Sequence, residues 1–147
     1  MGHASALCLW LVSSWAVAPP QSVALAVCHD VAAAALVEGV PVELALALAY
    51  TESRLNPTAE SSRGALGPLQ VVPWFHCPGK RRRGCDLVGV GVRTMLRFLG
   101  RFGPSWRVAL CHWNSGNRCY RRSRLFSRIV LRRAEELQSI GAGRCGG

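Results

Sequence analysis

The chain has only eight carboxylates, and one of them stands apart by its surroundings. Glu52 closes the stretch PVELALALAYTE, whose preceding residues are almost all apolar. A carboxylate at the end of such a run is partly withdrawn from water, and desolvation disfavours the ion and raises the pKa. A carboxyl that keeps its proton near neutral pH is what general-acid catalysis needs. A plainer reading makes Glu52 the first exposed residue past a buried helix. The other seven acids have ordinary explanations. Asp30, Glu38 and Glu43 fall on early helices as dipole partners. Glu60 lies in a polar loop, Asp86 is placed to cap a helix, and Glu135 and Glu136 sit near Arg132 and Arg133 on a solvated helix.

Two further groups of residues weigh on the choice. GALGPLQ, Gly64 to Gln70, puts glycines, a proline and a glutamine into one short loop. Glycine permits close backbone approach to a ligand, and glutamine brings both a donor and an acceptor. ALCHWNSG, Ala109 to Gly116, places Trp113 and Asn114 at a helix end. An aromatic face beside an amide suits a sugar, whose ring stacks and whose hydroxyls need directed hydrogen bonds. Each piece alone is as compatible with a turn or a core tryptophan. Cys and His occur as adjacent pairs, His76-Cys77 and Cys111-His112. That spacing does not build a tetrahedral zinc site, so no metal and no cofactor are expected.

These residues need helices to hold them. Residues 29–38 read as a short alanine-rich helix closed by Gly39. Pro41 suits the first turn of the next, which is apolar on nearly every face and therefore central and buried. Asn56-Pro57 disfavours its continuation past Arg54. Residues 55–85 are rich in Gly and Pro and read as loops. Asp86 caps a helix over about 87–102, broken by Gly103-Pro104. Ser105 to Trp113 is a further short helix, and 119–137 a last amphipathic one with arginines between its apolar positions. No segment alternates as a strand does. The predicted fold is mainly α, several short helices around one buried apolar helix.

Charge divides the chain in two. Residues 1–53 contain no Lys or Arg, whereas residues 54–147 hold all 18 bases of a chain with net charge +10. Half the residues are apolar, which excludes a disordered basic tail. The length suits one domain. A basic surface of this kind suits nucleic acid, an anionic membrane or an acidic wall polymer. RCYRRSRLFSRIVLRR carries seven arginines, but no nucleic-acid motif accompanies it, so no specific nucleic-acid partner is expected. The uncharged segment Ala4–Ala26 has the core length of a secretory leader, and Ala24-Leu25-Ala26 is a cleavage signal. Residues 1–26 are accordingly expected to be a signal peptide and 27–147 a single domain; the alternative is a buried N-terminal helix. Pro19, Pro20 and Gln21 interrupt the roughly 20 apolar residues a membrane span requires, so no span is expected in the mature chain. Removal of Cys8 with the leader leaves six cysteines, an even number that suggests disulfides. Local spacing favours Cys77 with Cys85 and Cys111 with Cys119, leaving Cys28 with Cys145.

In this order the motifs Glu52-Ser53, Gly64–Pro73 (GALGPLQVVP) and Ala109–Gly116 (ALCHWNSG) resemble the goose-type lysozyme and lytic transglycosylase superfamily, specifically its soluble-transglycosylase (SLT) catalytic domain. The likeness covers about residues 40–137. It implies a lysozyme-like fold and cleavage of the β-1,4 bond between N-acetylmuramic acid and N-acetylglucosamine in peptidoglycan. Glu52 matches the family's catalytic acid, which also acts as base on the muramic 6-hydroxyl to give a 1,6-anhydro product. Ser53, Gly67, Leu69, Gln70, Trp113 and Asn114 match substrate-binding or orienting positions. The implied partner is the glycan strand of the wall, within remodelling, secretion, conjugation or phage assembly, and the implied location is periplasmic or extracellular. Two motif positions depart from the family: Gly67-Pro68-Leu69-Gln70 replaces Gly-Leu-Met-Gln, and Trp113-Asn114-Ser115-Gly116 replaces Tyr-Asn-Ala-Gly. Trp113 lacks the phenolic hydroxyl that could bond Glu52. Competing readings are a lysozyme-like hydrolase and a catalytically inactive glycan-binding or assembly module.

Overall fold

In the computed structural model residues 2–145 are described, with side chains as far as residue 143. The described residues form α1 (His3–Ser14), α2 (Gln21–Glu38), α3 (Val42–Ser53), α4 (Pro73–His76), α5 (Leu87–Phe102), α6 (Trp106–Ser115) and α7 (Arg121–Cys145). The protein is mainly helical, as its sequence pattern requires. The only β-type pairing among the described residues is two isolated antiparallel bridges, Glu60 with Leu66 and Leu66 with Val71, which fold the loop after α3 back on itself.

α3 is the centre of the molecule. Val42 and every residue from Leu44 to Tyr50 are buried, and α2 and α7 pack against it. A helix apolar all round has no face to give to water, so the fold wraps it. Gly39 ends α2 in the left-handed region at φ 77°, and Pro41 opens α3. At the other end the chain turns sharply through Arg54 and Leu55, both left-handed at φ 52° and 64°. Leu55 is fully buried, which holds that unusual pair in place.

α2 starts at Gln21, earlier than the expected 29. Residues 24, 27, 28, 31, 32 and 35 form one continuous buried stripe, so the alanine-rich helix extends back through the segment read as leader. α2 has the length and hydropathy to cross a membrane; in this fold its stripe packs on α1, α3 and α5. α1 brings Leu7, Cys8, Leu11 and Val12 into the same core. Tyr50 donates its hydroxyl proton to the Ala16 carbonyl at 2.8 Å, and the Ala18 N–H donates to the Arg54 carbonyl at 3.0 Å.

Three disulfides form: Cys8–Cys28, Cys77–Cys85 and Cys111–Cys119. The expectation for Cys28 is corrected. With α1 and α2 side by side, Cys8 and Cys28 lie 5.7 Å apart between Cα atoms, and Cys28 pairs there rather than with Cys145. Cys145 ends α7, and its side chain lies outside those described. Asp86 caps α5 by accepting the Gly89 N–H at 3.1 Å. α7 runs eight residues beyond the expected 137 and buries Val130, Ala134 and Leu137 against the core.

Candidate active site

Glu52 sits in the last turn of α3, directly after the buried run. Burial pushes its carboxyl from the ordinary 4.5 up to about 7, while a hydrogen bond from the Trp113 side chain pulls in the opposite direction. Desolvation dominates because the whole helix before Glu52 lies inside the protein. Trp113 therefore stands beside Glu52 at the position where the family pattern has tyrosine.

α6 is held so that Trp113 reaches the acid by a row of aromatic contacts to α5. Trp113 meets Phe98 edge-on at 5.9 Å between ring centroids, Phe98 meets Phe102 at 5.4 Å, and Phe102 stacks on His112 at 3.8 Å. His112 also contacts the Gly116 carbonyl through Nδ1 at 2.6 Å. That imidazole is thus engaged on the far side of the row, and it is Trp113 that partners Glu52.

Ser53 joins the acid's helix to the glycine-rich loop. Its hydroxyl lies 2.8 Å from the Pro68 carbonyl and 3.1 Å from the Ala49 carbonyl, and it accepts the Asn56 N–H at 3.2 Å. The loop itself turns through left-handed Gly67 at φ 76° and Gln70 at φ 54°. Gln70 donates through Nε2 to the carbonyls of Gly67 at 3.0 Å and Ala59 at 3.1 Å, so its amide nitrogen braces the loop.

Leu69 is fully buried, and Gly67 is buried as well. Leu69 lies against Gly91 of α5, where a Cβ would come within 2.6 Å of the Leu69 side chain. The missing side chain at position 91 lets the loop settle onto the helix, and Leu69 anchors the loop there. Asn114 is exposed on α6 beside Trp113. The other acids keep away from this arrangement in role: Asp86 is spent on its cap, and Glu60 is an exposed residue in a β-bridge. Among the described residues no three His, Cys, Asp or Glu side chains gather as metal ligands. A cavity of about 520 Å³ lies elsewhere, between α6 and α7, lined by Arg107, Arg124 and Arg128 with the Cys111–Cys119 disulfide; neither Glu52 nor Trp113 faces it.

Arg133 was not foreseen here. It donates to the Thr51 hydroxyl at 3.0 Å and lies over the Tyr50 ring at 4.9 Å, and so clamps α7 onto the last turn of α3. Its sequence neighbours Glu135 and Glu136 gave no sign of this, because the contact spans 82 residues of chain.

A family model described as the Transglycosylase SLT domain matches residues 30–125, and the chain belongs to that family. Its role is of the lytic-transglycosylase type, acting on peptidoglycan outside the cytoplasm, and the disulfides Cys77–Cys85 and Cys111–Cys119 fit an exported protein. No curated protein and no solved structure matches the chain.

Proposed function

We propose that the chain is a peptidoglycan lytic transglycosylase in which Glu52 alone supplies the acid and base chemistry. The observation that carries this reading is the place of Glu52 at the end of the buried α3 helix, beside Trp113, where burial pushes its carboxyl up to about 7. At neutral pH a substantial fraction of such a group is protonated and able to give its proton to the glycosidic oxygen between N-acetylmuramic acid and N-acetylglucosamine. Once ionised, Glu52 takes the proton of the muramic 6-hydroxyl as that oxygen attacks the anomeric carbon. The C–O glycosidic bond breaks, a 1,6-anhydro ring forms, and the enzyme ends with its proton restored. Ordinary glycoside hydrolysis uses two carboxylates; the reading here relies on the substrate's own hydroxyl in place of the second. Ser53 and Gln70 act by fixing the loop beside Glu52, Trp113 by orienting the carboxyl, and Asn114 by binding substrate hydroxyls.

The test is mass spectrometry of sacculus digests. Wild type is expected to release anhydro-muropeptides, and Glu52→Gln to lose about a thousandfold in rate. Products carrying an added water would make the enzyme a hydrolase, and sacculus binding without product would make it a binding module.

We further propose that the chain is exported and that residues 1–26 serve as its leader, leaving a domain of 27–147. Cleavage after Ala26 would divide α2 and release Cys28 from Cys8. The intact mass of the exported protein decides: a mass lacking 1–26 supports processing, and a full-length mass with Cys8–Cys28 closed overturns it.

A further inference from the structure

Exposed apolar side chains that adjoin one another and are rimmed by polar groups mark interaction surfaces. Trp74 and Phe75, consecutive on α4, are 61% and 73% exposed. α4 starts at Pro73, the last residue of the glycine-rich segment, so these rings sit just past the loop that Ser53 ties to the Glu52 helix. After α4 comes the cysteine-closed turn PGKRRRG, held by Cys77–Cys85. The turn folds Lys80 back so that its ammonium lies 4.5 Å from the centre of the Trp74 ring, and Arg81, Arg82 and Arg83 are all exposed beside it. None of these four cations forms an ion pair with an acid among the described residues. The result is an aromatic step with a cluster of unpaired positive charge at its edge, held rigid by a disulfide.

We propose that Trp74, Phe75 and the Lys80–Arg83 turn form an accessory binding platform for the anionic peptidoglycan strand, outside the cleavage site. Pyranose rings stack on exposed aromatic faces. The free carboxylates of the stem peptides supply the charge that Lys80 and the arginines lack. A plain electrostatic surface would need no aromatics, and a plain apolar patch would not collect four cations. Both features, adjacent in residues 74–83 and joined by the Lys80–Trp74 contact, select a ligand that is ring-bearing and acidic. The platform would keep the enzyme on an intact wall between cuts and have little to hold on a short soluble glycan. The choice of ligand rests on the transglycosylase reading.

The full-length chain with Glu52→Gln is suited to the test because it binds without degrading its target. Pelleting with purified sacculi is compared for Glu52→Gln alone, with Trp74→Ala and Phe75→Ala added, and with Arg121, Arg122 and Arg124 of α7 changed to Ser. The aromatic pair is expected to weaken pelleting about tenfold and the α7 changes by much less. Lys80→Glu, at an exposed position, is expected to weaken it as well, which guards against a fold defect in the double variant. Unchanged pelleting in the aromatic and Lys80 variants, an equal loss from the α7 changes, or capture by anionic lipid vesicles in preference to sacculi would each overturn the platform. Cleavage by the wild-type acid is scored separately. Platform-dependent pelleting without cleavage sinks the enzyme reading and leaves the platform standing. Cleavage with platform-independent pelleting does the reverse.

Discussion

α3 and the Gly64–Gln70 loop both serve Glu52, and they do so by opposite means. α3 works through burial: an unbroken apolar run carries the carboxyl into a place where its ion is poorly solvated, and the pKa rises to about 7. The loop works through backbone shape: three left-handed residues, a glutamine that bonds its own loop, a serine that crosses to it from α3, and one leucine sunk into the core. The first device sets the reactivity of the acid. The second sets the shape of what lies beside it. One depends on the amount of apolar surface around a charge, the other on the direction of a few hydrogen bonds.

The contrast can be broken at several points. Leu69→Ala is expected to strike the loop through stability, at about 2–5 kcal/mol, because it empties a buried site between the loop and Gly91. Urea unfolding measures it. A fall in substrate affinity with unchanged stability would return Leu69 to the binding surface.

The acid predicts a pH effect of the opposite kind. Between 4.5 and about 7 the folded protein holds a proton at Glu52 that the unfolded chain has released. Stability therefore falls as pH rises through that window and levels off above it, by about 3 kcal/mol at about 1.4 kcal/mol per unit. Glu52→Gln, which carries no charge to desolvate, is expected to lose this slope and to melt higher than wild type at pH 8. Parallel melting curves for the two proteins from pH 5 to 8 would contradict the burial of the carboxyl.

Ser53→Ala removes the tie between the two regions and is the mildest change. Loss of its bond to the Pro68 carbonyl is expected to cost about 1 kcal/mol and to lower turnover several-fold, with Glu52's titration unmoved. Thermal melts and a rate–pH profile distinguish that from a shift in the acid itself.

The sequence discloses the two devices unequally for the same physical reason. Burial leaves a mark in composition, so α3, its end near Arg54 and the exceptional position of Glu52 can all be read from letters. α5 was legible too, since Asp86 and Gly103-Pro104 mark its ends chemically. The roles of Leu69 and Gln70 were not, because they follow from φ at 67 and 70 and from the absence of a side chain at Gly91, twenty-two residues away from Leu69. An apolar N-terminal segment reads alike as leader or core helix, since both demand the same residues. The Cys8–Cys28 pairing depends on which of the two it is.

The raised carboxyl is open to direct measurement. With ¹³C-labelled protein, the side-chain carboxyl of Glu52, assigned by its loss in Glu52→Gln, can be followed by NMR from pH 3 to 9. A midpoint near 7, with the alkaline fall of sacculus cleavage at the same pH, is the predicted result. A midpoint near 4.5 would show a solvated carboxylate and contradict the account at its centre.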